Sequence, residues 1–174
     1  MKILIIGFLG AGKSTLAYEI NKKYGFSRLN LDELHRNPQT GLYYPQTECF
    51  EKLSSFLNTH SNWVMEGSQP HLYEKTNPDL IIDMRINRLI AIWRFTTRFI
   101  KAKKLINKQI DKNLPVQAYH YRKPTLSKII EWDQANKKIN AEIERYLKTT
   151  SANVIKCDGR KDYKKIFRKI KMFK

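Results

Sequence analysis

The chain opens on a continuous apolar run, KILII, closed by Gly7. A short unbroken run of this kind predicts a strand of a parallel sheet, covered on both faces and so with no polar side to alternate with. Over residues 13–24 the apolar positions Leu16, Ile20 and Tyr24 fall four apart, the spacing of one helix face, and Gly25 marks the stop. FSRLNLD reads as a short second strand and RNPQTGLYYPQ as a loop rich in turn residues. A helix is predicted from Thr47 to His60, with Phe50, Leu53 and Leu57 on its apolar face, followed by two buried strands, NWVMEG and DLIIDM. Asn87 then caps a long helix, RLIAIWRFTTRFIKAKKLI, which leads into the polar, proline-punctuated stretch NKQIDKNLPVQAYHYRKPT. A helix from Thr125 to about Lys148, the strand NVIKC and a basic helix from Asp162 to Lys171 complete the pattern. Strands alternating with helices argue an α/β fold with a parallel sheet, helices on both faces and ligands at the carboxyl ends of the strands.

At 174 residues the chain suits one domain, expected to span 1–174. No apolar stretch approaches the roughly 20 residues of a membrane span, and the N-terminal run is too short for a signal peptide. Cys49 and Cys157 lie far apart with no metal-ligand spacing, which suits a reducing compartment, and a cytoplasmic protein is expected. Charge changes the picture more. The chain carries 33 basic and 16 acidic residues, +17 net, yet residues 1–84 are close to neutral while 85–174 hold 25 basic against 7 acidic side chains. That asymmetry points to a polyanionic partner or to a lysine-rich solvated surface.

The candidate chemistry begins where the first strand ends. Gly7-x4-Gly12-Lys13-Ser14, within GFLGAGKST, satisfies the phosphate-loop pattern G-x-x-x-x-G-K-[ST]. Glycines let backbone N–H groups approach phosphate oxygens without a Cβ in the way, and the following helix adds its positive dipole end. Gly7, Gly10, Ala11, Gly12, Lys13, Ser14 and Thr15 are therefore the candidate triphosphate-binding residues. Lys13 is expected to reach the β- and γ-phosphates and the Ser14 hydroxyl to sit on Mg²⁺, with ATP as donor. A GTPase switch is disfavoured, since the nearest segment to NKxD, NKQID at 107–111, follows a basic helix and not a buried strand.

The succession GFLGAGKST, LNLDELH, WVMEG, PDLIIDM and WRFTTR resembles the adenylate-kinase-like nucleotide and small-metabolite kinases, most nearly the branch described as DNA topology-modulation proteins. The resemblance covers most of the chain, though only the phosphate loop is specific by itself. It implies a three-layer αβα P-loop NTPase fold with five parallel strands in the order 2-3-1-4-5, and a short helical lid at about 100–125.

It also implies roles. Asp32 matches the acid after strand 2 that accepts a proton from the acceptor hydroxyl or holds a water on Mg²⁺. Its alternative role is an N-cap for the turn ELHR. Glu66 stands where relatives place an aspartate that holds Mg²⁺ through water, and Asp83, closing its own apolar strand, is the rival for that place. Arg94 and Arg98, spaced i, i+4, match a pair at the lid base that clamps phosphates, with Arg94 also on the nucleotide. Lys101, Lys104 and Lys108 continue the same face, as a solvated surface would. In PVQAYHYRKP, Tyr119, His120, Tyr121 and Arg122 form a lid candidate or a plain loop; Arg36, Tyr43 and Tyr44 border the acceptor pocket; and no histidine shows metal spacing.

Two readings follow. The first is a Mg-ATP-dependent kinase for a nucleotide, nucleoside or similar small metabolite. The second is a nucleic-acid-binding P-loop ATPase or a kinase of nucleic-acid 5′ ends, for which the basic second half would neutralise phosphates. A membrane partner is not expected.

Overall fold

The structure, a computed structural model, describes residues 1–35, 37, 42–94, 96–97 and 126–172. In chain order the elements are β1 (Lys2–Gly7), α1 (Lys13–Tyr24), β2 (Ser27–Asn30), α2 (Leu31–His35), α3 (Gln46–Thr59), β3 (Trp63–Glu66), α4 (Pro70–Tyr73) and β4 (Leu80–Met84). Helical residues 88–94 and 96–97 form α5. After it come α6 (Leu126–Thr149), β5 (Asn153–Cys157), a 3₁₀ turn (Arg160–Asp162) and α7 (Tyr163–Met172).

The strands form one sheet in the order β2-β3-β1-β4-β5, with every pair parallel, as expected. Each strand–helix–strand crossover lays its helix on one face, so two cores result. On one face Ile3, Ile5, Val64, Leu80 and Ile82 pack against Leu16, Ala17 and Ile20 of α1 and Ile166 and Ile170 of α7. On the other, Leu4, Ile6, Met65 and Ile81 meet Leu31, Leu53 and Leu72 from α2, α3 and α4, with Ile143 and Tyr146 from α6. Most of these side chains are wholly buried, each contributing on the order of 1.5–3 kcal/mol.

The departures from expectation are local. The strand expected over FSRLNLD ends at Asn30, because Leu31 turns inward to start a helix. A one-turn helix, α4, begins on Pro70, between the two buried strands where the pattern predicts no element; proline suits the first helical position, where its missing N–H has no partner to lose. Gly7 ends β1 at φ 132°, and a Cβ there would lie 2.0 Å from the Met84 carbonyl oxygen, so glycine is required. Arg36, Arg98, Lys101, Lys104, Lys108, Tyr119, His120, Tyr121, Arg122 and the lid-like stretch 100–125 lie outside the described residues.

Candidate active site

The carboxyl ends of β1 and β3 and the start of α2 converge on the loop between β1 and α1. Three of the loop's amides are committed within the protein. Phe8 N–H donates to Met84 O (3.3 Å), Ala11 N–H to Phe8 O (3.1 Å) and Leu9 N–H to Oδ1 of Asn136 (3.1 Å). Its carbonyls are held by cations. Lys13, buried, donates from Nζ to Gly7 O, Phe8 O and Ser68 Oγ, each at 3.1 Å. Arg94 donates from Nη1 to Gly10 O and Ala11 O, each at 3.2 Å. The amides of Gly10, Gly12 and Ser14 carry no partner among the described residues. Cations behind and loose N–H groups in front make a nest for an anion.

Glu66 closes β3 opposite Ile5 of β1 and is 2% exposed. Burial pushes its carboxyl above the usual range, while hydrogen bonds with the Ser14 hydroxyl and Arg28 and the nearby Lys13 charge pull it back. Arg28 Nη2 lies 3.2 Å from Oε1. Asp32, in the first turn of α2, accepts from Ser68 N–H (3.0 Å) and Gln69 Nε2 (3.2 Å) on Oδ1. Its own N–H donates to Oδ1 of Asn30 at 2.9 Å, so Asn30 does the capping and the Asp32 carboxylate crosses to the loop after β3.

Asp83 behaves differently. It closes β4 opposite Ile6, whose side chain lies in the other core, and its Oδ2 is taken by Arg85 at 2.8 Å. Arg85 in turn reaches Glu144 of α6 at 3.0 Å. Asp83 therefore faces away from Ser14 and Lys13.

Above the loop a cleft of about 510 Å³ opens between α5 and the turn before α7, lined by Gly12, Trp93, Arg94, Thr97, Arg160 and Tyr163 among others. Asn87 caps α5 as expected, accepting from Leu89 N–H at 2.8 Å. Of the residues singled out from sequence, the loop residues Gly7 to Thr15, Asp32, Glu66 and Arg94 gather at this end of the sheet. Tyr44 instead stacks under Lys52, and Tyr43 lies edge-on to His35. Ser68, Gln69, Arg28 and Asn136 were not anticipated. The first two follow the strand-end acid by two and three positions, a signal that was available; nothing in the sequence ties Asn136 to Leu9.

Among the described residues no group of three or more His, Cys, Asp or Glu side chains forms a metal cage. Ser14, Glu66 and Asp32 instead offer three oxygens near one another, the hard donor set that suits Mg²⁺ when water and phosphate complete its shell.

No protein-family model matches this sequence, and no curated protein matches it. Solved structures do. Deoxyadenosine kinase from M. mycoides with bound dCTP aligns over 99% of this chain and 100% of its own, at 20% identity and TM-score 0.55. The same enzyme with the products dCMP and a flexible dCDP covers 100% of both chains at 16% identity and TM-score 0.55. With dATP the figures are 98%, 100%, 16% and 0.55. The fold is that of these P-loop kinases. The likeness bears on architecture and lends the topology-modulation branch no support.

Proposed function

We propose that this chain transfers the γ-phosphoryl group of Mg-ATP to a hydroxyl of a nucleoside, nucleotide or similar small metabolite. The observation that carries the reading is the gathering of Lys13, Ser14, Asp32 and Glu66 around the loop at one end of the sheet. The neighbours' ligands favour a nucleoside-sized acceptor.

In this account the free amides of the loop and the Lys13 ammonium receive the β- and γ-phosphates, Lys13 exchanging carbonyl partners for phosphate oxygens. Arg94, from the same side, meets charge on the transferred group. Ser14, with Glu66 and Asp32 acting through water, would hold Mg²⁺, which neutralises phosphate charge. Asp32 has Oδ1 fixed by two donors, while Oδ2 has no partner among the described residues. Oδ2 takes the proton from the acceptor hydroxyl as its oxygen bonds to the γ-phosphorus and the bond to ADP breaks. The cleft beside Trp93 and Tyr163 receives the donor nucleoside. Residues 1–174 are read as one domain; the expected lid-like segment at about 100–125 and Arg98, the expected partner of Arg94 on the phosphates, lie outside the described residues. No helix among the described residues is long and apolar enough to cross a membrane, and the reading includes a cytoplasmic setting. The nucleic-acid alternative draws nothing from the neighbours.

The test is a panel of nucleosides, nucleoside monophosphates and 5′-hydroxyl oligonucleotides incubated with Mg-ATP, with Lys13→Ala as control. Phosphate on one small acceptor, lost in the variant, is the expected result. Hydrolysis that rises only with oligonucleotide would overturn the proposal.

A further inference from the structure

The phosphate loop is braced from a distant helix. Its Leu9 N–H donates at 3.1 Å to Oδ1 of Asn136, 127 residues further along the chain. Asn136 is 4% exposed, and a buried amide side chain is costly unless something answers it. The loop does. Three positions earlier on the same face of α6, Asp133 grips Arg88 by two hydrogen bonds, at 2.6 and 2.7 Å. Arg88 stands in the first turn of α5, the helix whose Arg94 holds the Gly10 and Ala11 carbonyls. The helix α6 thus reaches the loop directly at Leu9 and, through α5, at Gly10 and Ala11.

This arrangement selects which amides can face an anion. Phe8, Leu9 and Ala11 are spent on Met84, Asn136 and Phe8, whereas Gly10, Gly12 and Ser14 are not spent among the described residues. Without Asn136 the part-buried Leu9 N–H loses its acceptor, and the cheapest remedy is for the loop to turn that amide towards solvent and leave the nest. We propose that Asn136 is a positioning residue for the donor triphosphate: by holding Leu9 outward it keeps the loop in its anion-receiving shape. The inference rests on the triphosphate reading above. Asn136 touches neither phosphate nor acceptor; it acts through the backbone. A loop that must be ordered on binding loses affinity, so the effect falls on ATP binding and KM and leaves kcat at saturation nearly unchanged.

Calorimetric titration with Mg-ATP tests this on the wild type, Asn136→Leu, Asn136→Asp and Lys13→Ala. Leucine removes the acceptor at similar size; aspartate keeps it. The expected result is binding about tenfold weaker in Asn136→Leu and within about threefold of wild type in Asn136→Asp, with KM for ATP following. A variant Asn136→Leu that melts lower but binds Mg-ATP as tightly as wild type overturns the proposal and leaves Asn136 a packing residue. Wild type that binds no tighter than Lys13→Ala overturns the triphosphate reading as well. Amide exchange on the wild type needs no variant to fold. Leu9 should exchange slowly without nucleotide, while Gly10 and Gly12 exchange fast and slow down on adding Mg-ATP; fast exchange at Leu9 contradicts the proposal.

Discussion

Two acids flank β1 and look alike in sequence, yet they enter opposite sides of the sheet. Glu66 and Asp83 each close an apolar strand, WVME and LIIDM, and each is almost completely buried. The register separates them. Glu66 lies opposite Ile5 and Asp83 opposite Ile6. Successive side chains of a strand point to opposite faces, so one step of register decides which core an acid enters. Glu66 enters the α1 side, where Ser14 and Lys13 meet it. Asp83 enters the α6 side, where Arg85 takes one oxygen and the other has no partner among the described residues. The first acid faces the loop proposed to receive phosphate; the second is paired with Arg85.

Breaking each acid in turn should separate these roles. The largest effect is expected for Glu66→Ala, which should lower Mg-dependent phosphoryl transfer on the order of 100-fold while the protein stays folded. Asp83→Asn should keep transfer within about threefold. Equal losses in steady-state rate from the two variants would erase the distinction. Next comes Arg85→Ala. It strands the buried Asp83 carboxylate, and a cost of about 2–3 kcal/mol is expected, below the upper range for such pairs because the Arg85 side chain is 37% exposed. That should appear as a drop of several degrees in melting temperature with unchanged KM for ATP.

A smaller effect, and one with a sign, concerns Glu66→Gln. Burial holds the Glu66 proton to higher pH in the folded chain than in the unfolded one. Wild-type stability therefore falls as pH rises between those two values, and glutamine, with no proton to lose, escapes the fall. The variant's melting temperature relative to wild type should climb between pH 4 and pH 7. A difference that stays constant with pH would show that the acid is ionised at no cost. The smallest effect is expected for Arg28→Ala. Glu66 keeps Ser14 and Lys13, and Arg28 is a third exposed, so a loss of about 1 kcal/mol in thermal unfolding should suffice.

The fold was legible to the degree that its strands announce themselves. KILII, WVME and LIIDM are continuous apolar runs because the sheet is covered on both faces, and the glycine-rich loop marked the end of the sheet where the candidate site lies. The α2 helix was hidden because LNLDEL begins by alternating like a strand, while Leu31 and Leu34, three apart, are the residues that the helix buries. The choice between Glu66 and Asp83 could not be read from either strand alone, since register is a property of the pair. Asn136 was hidden for a related reason: on α6 it occupies one more polar position in a helical pattern, and its meaning comes from a loop far away in sequence. Residues 98–125, which carry Arg98 and the lid-like aromatics, lie outside what the structure describes.

The most direct test of the central claim is phosphorus NMR of the wild type with Mg-ATP and deoxyadenosine, the acceptor named for the structural neighbours. The account predicts ADP and a nucleoside monophosphate appearing in equal amounts, and neither with Lys13→Ala. Inorganic phosphate accumulating without any phosphorylated acceptor, stimulated by oligonucleotide and suppressed by salt, would contradict it.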